Sequence, residues 1–122
     1  MSYKIKTEIE KNYLKFTASG EQTFEANTEL VAAIIEACIE NKVTKVLVDI
    51  RGFIGQPGIV SDYKLANIAA KGALGIVKKT ALLHQRESSE FTTFFETATR
   101  NRGIDMRVFM DESEAVEWLL NG

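Results

Sequence analysis

The chain begins in strict alternation: Tyr3, Ile5, Thr7 and Ile9 are interleaved with Lys4, Lys6, Glu8 and Glu10. A period of two is the pattern of a strand with one wet face, and the charged side marks this one as an edge strand. After the polar pair Lys11 and Asn12, the run Tyr13 to Ala18 alternates again, with Leu14, Phe16 and Ala18 on one side. The two segments are predicted to pair as a hairpin that ends at Ser19 and Gly20.

The period then lengthens. Between Phe24 and Lys42, the residues Leu30, Ile34, Ala37 and Cys38, flanked by Val31, Ile35 and Ile39, recur at helical spacing. They predict a helix with a wide apolar stripe. Val43 to Ile50 is a short run rich in β-branched residues, suited to a central strand covered on both faces. Arg51 to Val60 holds three glycines and the only proline and reads as a turn. Ser61 or Asp62 is predicted to cap a second helix that ends near Gly75, with Leu65, Ile68, Ala69 and Gly72 on one face. Lys79 to His84 reads as another buried strand. Ser88 or Ser89 is expected to cap a third helix that turns Phe91, Phe94, Phe95 and Ala98 inward and stops at Gly103. Met106 to Met110 supplies the last strand. Asp111 and Glu114 have the spacing of a capping box for a final helix anchored by Ala115, Trp118 and Leu119.

The resulting order is ββα followed by three βα units. Short connections favour right-handed crossovers, so the expected fold is α/β: a mixed, mostly parallel five-stranded sheet with an N-terminal hairpin and four helices. No repeat or linker interrupts it, and residues 1–122 are read as a single domain.

Composition narrows the function classes. With 122 residues, 45% of them apolar and 26% charged, the chain is long enough to bury about two-thirds of its surface without staples. Fifteen basic residues against seventeen acidic ones give no basic field for nucleic acid, so no nucleic-acid partner is expected. One cysteine, Cys38, rules out an intrachain disulfide and any cysteine-rich zinc site, and it fits a reducing compartment. Nothing approaches the roughly 18 apolar residues of a membrane span. The first residues also lack the apolar stretch of a signal peptide, so a cytoplasmic protein without integral membrane association is expected.

The candidate chemistry gathers at the predicted C-terminal rim of the sheet, where open α/β folds usually hold ligands. Asp49, His84 and Asp111 fall there, with Arg51, Gln56, Gln85 and Arg86 close in sequence. The loop from Arg51 to Gly58, RGFIGQPG, places amides before a helix and is able to face an anion. Its glycines match neither the dinucleotide fingerprint nor the phosphate loop, and a turn that needs unusual backbone angles explains them as well. A base at His84 oriented by Asp49 or Asp111 is one reading, but no nucleophile completes a triad, so an enzyme is not expected. Cys38 lies within the apolar stripe and reads as a small hydrophobe. One histidine among scattered carboxylates shows no metal-ligand spacing, and no metal or cofactor is expected. The second helix is rich in small residues: Ala66, Ala69, Ala70, Gly72 and Ala73. Such a surface suits close packing on the sheet, contact with a partner or second copy, or a movable lid over an apolar ligand.

These residues carry a family likeness. KVLVDIRGF, the glycine-containing turn, the helix after it, KTALLH and the closing RVFMDESEAVEWL together resemble the SpoIIAA-like family. That family is related to the STAS domains of bacterial anti-sigma-factor antagonists and is sometimes grouped with SEC14-type lipid-binding domains. The STAS side of the resemblance implies switching of protein partners, and the SEC14 side implies holding a small apolar molecule or lipid; neither implies catalysis. In the antagonists the turn after the central strand carries an Asp-Ser-Ser/Thr-Gly pattern whose hydroxyl is phosphorylated. The matching positions here are Gly55, Gln56, Pro57 and Gly58, without a hydroxyl, and Ser61 lies three residues beyond. The expected function is a non-enzymatic binding domain that lacks this phosphoswitch, with Asp49, Arg51, Gln56, Ser61, Leu65 and His84 as candidate ligand- or partner-binding residues. The alternatives are a SEC14-like carrier, with Phe91, Phe94, Phe95 and Trp118 among its pocket residues, and a small enzyme using His84. A homodimer is compatible with all three.

Overall fold

The computed structural model describes residues 2–55, 58–73, 75–85, 90–101 and 103–122. Strands β1 (Tyr3–Ile9) and β2 (Leu14–Glu21) form the predicted antiparallel hairpin, with Ile5 opposite Ala18 and Ile9 opposite Leu14. Its turn is closed by Asn12 in the left-handed region at φ 74°, a conformation asparagine tolerates better than most residues. Helix α1 (Phe24–Asn41) follows, then β3 (Lys45–Ile54), α2 (Ile59–Ala73), β4 (Lys79–Leu83), α3 (Glu90–Arg100), β5 (Asp105–Phe109) and α4 (Glu112–Asn121). The sheet order is β1-β2-β3-β4-β5, with β2 to β5 all parallel. The expected α/β fold, with five strands, four helices and an N-terminal hairpin, is therefore the observed one.

Consecutive parallel strands joined by crossovers of one hand place their connecting helices on one face of the sheet. That face carries the larger core, in which Leu14, Phe16, Val46, Val48, Ile50, Leu82 and Met106 meet Ala26, Leu30 and Cys38 of α1 and Ala70 and Ala73 of α2. The small residues of α2 are thus used for close packing: Ala66, Ala69, Ala70 and Ala73 are all buried. The opposite face has a smaller cluster, Leu47, Ala81 and Leu83 beneath Ala115 and Leu119 of α4. Each fully buried leucine there is worth about 1.5–3 kcal/mol of apolar transfer. Helix α4 starts as predicted, with the Asp111 carboxylate accepting the Glu114 N–H at 3.0 Å. Lys79 holds its far end, donating to the Trp118 and Gly122 carbonyls at 2.8 Å while lying 4.4 Å from the Trp118 ring centre.

Two differences from the expected boundaries bear on the site. The central strand does not stop at Ile50 but runs to Ile54, so Arg51 and Gly52 belong to the strand and not to a turn. Gly52 is the reason it can. A Cβ there would lie 2.9 Å from that of Ser19 and 3.3 Å from the Ala18 carbonyl, so only glycine allows β2 and β3 to stay this close. Helix α2 begins at Ile59, which puts Ser61 and Asp62 inside its first turn instead of at its cap. The proposed caps of the third helix, Ser88 and Ser89, lie outside the described residues.

Candidate functional site

Extending β3 moves Asp49 from the rim to mid-strand. Thr17 pairs with Asp49 but Ser19 pairs with Gly52, so β3 carries one extra residue here. Such a bulge breaks the ladder locally and re-aims side chains. The Arg51 N–H donates to Asp49 Oδ1 at 3.0 Å, Arg51 Nε donates to the same oxygen at 3.0 Å, and Nη2 donates to Oδ2 at 2.9 Å. The guanidinium also lies 3.6 Å from Glu112 Oε1, and Lys15 Nζ donates to Glu112 Oε2 at 3.0 Å. A chain of alternating charge, Lys15–Glu112–Arg51–Asp49, thereby ties the first turn of α4 to β2 and β3.

Burial pushes the Asp49 carboxyl up, but its hydrogen bonds from Arg51 and the charges of Arg51 and Lys15 outweigh this and hold it below the ordinary carboxylate value. Lys15 is raised, first by its hydrogen bond to Glu112, against the opposing effect of burial. Both shifts favour the charged forms that the ion pairs require.

Of the other candidates, Leu65 lies away from this network, on the opposite face of the sheet. Both carboxylates offered as orienters of His84 are engaged: Asp49 holds Arg51, and Asp111 caps α4. His84 follows β4, where its N–H donates to the Phe109 carbonyl at 2.9 Å, and its neighbour Gln85 reaches back to the Arg51 carbonyl. Leu65 is buried under α2 on the opposite side of the sheet from α4. Ser61 lies one turn before Leu65, and its Oγ is buried with no hydrogen-bond partner. Gln56 and Arg86 lie outside the described residues. Cys38 is buried, and burial pushes its thiol up to about 11, which leaves it inert at neutral pH.

Beneath α2, between α1 and the sheet, lies a cavity of about 100 Å³. Leu30, Ile34, Val48, Leu65, Ala69 and Leu82 give it apolar walls. Trp118 does not belong to it. Its ring sits across the sheet against Phe109, with centres 5.6 Å apart, because α4 covers the other face. The side chains of Phe91, Phe94 and Phe95 lie outside the described residues. Sequence reasoning missed the polar corner of this cavity, Asn27 with Gln22. The signal was present: Asn27 occupies the same helical stripe as Leu30, Val31 and Ile34, where an apolar residue would be expected.

The outer side of α2 is unusually apolar. Val60 is 67% exposed, Tyr63 57% and Ile68 42%, with Ile54 at 72% just before the helix. The first three share a shallow groove with Phe24. Among the described residues no helix is long and apolar enough to cross a membrane.

Residues 13–120 match the family model described as SpoIIAA-like. The fold is shared with an uncharacterised protein of the DUF3478 family from Shewanella loihica, 24% identical, over 96% of this chain and 93% of that one, with a TM-score of 0.60. It is also shared with the anti-sigma factor antagonist SpoIIAA in its unphosphorylated form, at 18% identity, a TM-score of 0.63 and coverage of 98% and 100%. An anti-sigma factor antagonist from Mycobacterium paratuberculosis aligns at 12% identity and a TM-score of 0.66, over 98% and 96%. At these identities the likeness is one of fold. No curated protein matches the sequence significantly.

Proposed function

The chain belongs to the SpoIIAA-like family, and from that membership and the surface of α2 we propose that it works by binding a protein partner and transforms no substrate. The observation that carries this reading is the row of Val60, Tyr63 and Ile68, large apolar side chains turned outward along one groove of α2. Single exposed hydrophobics are ordinary, whereas a contiguous set marks a contact surface.

Catalysis has less support. The carboxylates that would have oriented His84 already hold Arg51 and the α4 cap. Control by phosphorylation at the head of α2 is not part of the proposal either. Positions 55–58 offer no hydroxyl, and the nearest serine, Ser61, keeps its Oγ buried. A buried thiol as the chain's one cysteine suits the bacterial cytoplasm proposed as its setting.

The test is site-specific photo-cross-linking in cells of the source organism, with the reactive side chain at position 63 and a control at the exposed Glu117 of α4. A discrete adduct is expected from position 63 alone, and Ile68→Lys is expected to abolish it. An adduct at twice the chain's mass would make the partner a second copy. Equal yields at 63 and 117 would remove the basis for the reading.

A further inference from the structure

The cavity under α2 is mostly apolar; its polar lining residues are Thr80, Thr99 and the pair Gln22 and Asn27, and the last of these is unusually arranged. Asn27 is 4% exposed and lines the cavity. Its Oδ1 accepts from Gln22 Nε2 at 3.2 Å, which sets the orientation of the amide. Its Nδ2 donates to no described residue. That nitrogen is also not among the walled-in polar atoms, of which Ser61 Oγ is the only one described. A nearly buried amide thus lines the cavity with no described partner for its donors, in a wall where leucine would pack without polar cost.

We infer that this cavity binds a compact, uncharged, largely apolar molecule bearing one hydrogen-bond-accepting oxygen, such as a small ketone or lactone, and that Asn27 Nδ2 recognises the oxygen. Charge is disfavoured because the described lining holds no ionisable side chain. Size follows from the volume. At about 100 Å³ the space is comparable to dry cavities of about 150 Å³ that take benzene. It is well short of the roughly 300–1,000 Å³ of sites for larger ligands, so a full acyl lipid does not fit. The site lies on the inner side of α2 and is separate from the outer groove, so either reading can fail without the other.

The experiment titrates the ¹⁵N-labelled full chain with cyclohexanone and, separately, with methylenecyclohexane, a ring of the same size that lacks the oxygen. Saturable shifts are expected at the Asn27 side-chain amide and at the backbone of Leu65 and Ala69. The ketone should bind about tenfold more tightly, the factor expected for one hydrogen bond. Asn27→Leu is expected to equalise the two probes, and Ala69→Phe, which fills the cavity, to remove both. Should Asn27→Leu not fold, Gln22→Leu replaces it and is expected to cut the ketone preference at least threefold. Absence of saturable shifts, equal binding of the two probes by the unmodified chain, a ketone preference that survives the position-27 or position-22 variant, or binding that survives Ala69→Phe would each overturn the inference.

Discussion

Asp49 and Arg51 stand two residues apart on β3 and are joined through both carboxylate oxygens, with the Arg51 N–H and guanidinium donating at 2.9 to 3.0 Å. The bulge opposite Ala18 explains the pairing, because the extra residue takes the Arg51 N–H out of the regular ladder and the carboxylate supplies its acceptor. Asp49→Asn keeps an acceptor but loses the charge, and it is expected to cost about 1–2 kcal/mol in urea unfolding. The pH dependence follows the same bond. Because the folded carboxyl titrates below its ordinary 3.8, its stabilisation is complete above that value and is lost as pH falls through the folded one. The melting temperature of the unmodified chain should therefore drop more steeply below about pH 4 than that of Asp49→Asn. Parallel acid curves would contradict this.

Lys15 defines the alkaline limb. Its folded ammonium titrates above the ordinary 10.5, so its contribution is complete below that value and fades as pH rises through the folded one. With both partners partly exposed to solvent, Lys15→Met is expected to cost no more than about 1 kcal/mol at neutral pH. Tyr3, held at about 12 chiefly by its hydrogen bond to Glu29, and Tyr13, raised chiefly by burial, lower the stability of both proteins in this range. The gap between unmodified chain and variant, measured by denaturant titration, should close above pH 11; a gap that widened there would refute the assignment.

Gly52 and Gly72 should respond differently to alanine. At Gly52 the new Cβ meets Ser19 Cβ at 2.9 Å and the Ala18 carbonyl at 3.3 Å, next to the bulge. Strand β2 must then move, and about 1–3 kcal/mol is the expected loss. At Gly72 the only close atom among the described residues is Ile35 Cδ1 at 2.8 Å, the free end of a side chain. The helix preference of alanine, about 1 kcal/mol over glycine, offsets the crowding and leaves Gly72→Ala near neutral. Urea midpoints of the two variants check the ordering.

Ser61→Ala is expected to stabilise the chain. The substitution removes a buried hydroxyl that has no partner and puts a better helix former in the first turn of α2. A gain of about 0.5–1.5 kcal/mol, or a few degrees in melting temperature, is expected. A loss in calorimetry would mean that the hydroxyl is bonded in solution.

Element order and type were readable in the chain because they rest on local periods. The alternation at Tyr3–Ile9, the stripe from Leu30 to Cys38 and the Asp111–Glu114 cap are all relations between residues at most a few helical turns apart, where side-chain direction follows directly from residue order. The rest depended on segments meeting. Gly52 looks like part of a turn until Ser19 is beside it, and only then does β3 continue to Ile54 and place Asp49 in mid-strand. Trp118 looks like a pocket residue until α4 crosses to the other face of the sheet. Lys15 and Glu112, 97 positions apart, show no relation along the chain at all. Charge pairs, bulges and cavities of this kind come from the closing distance between surfaces, which exists only once the sheet and its two helical layers have assembled.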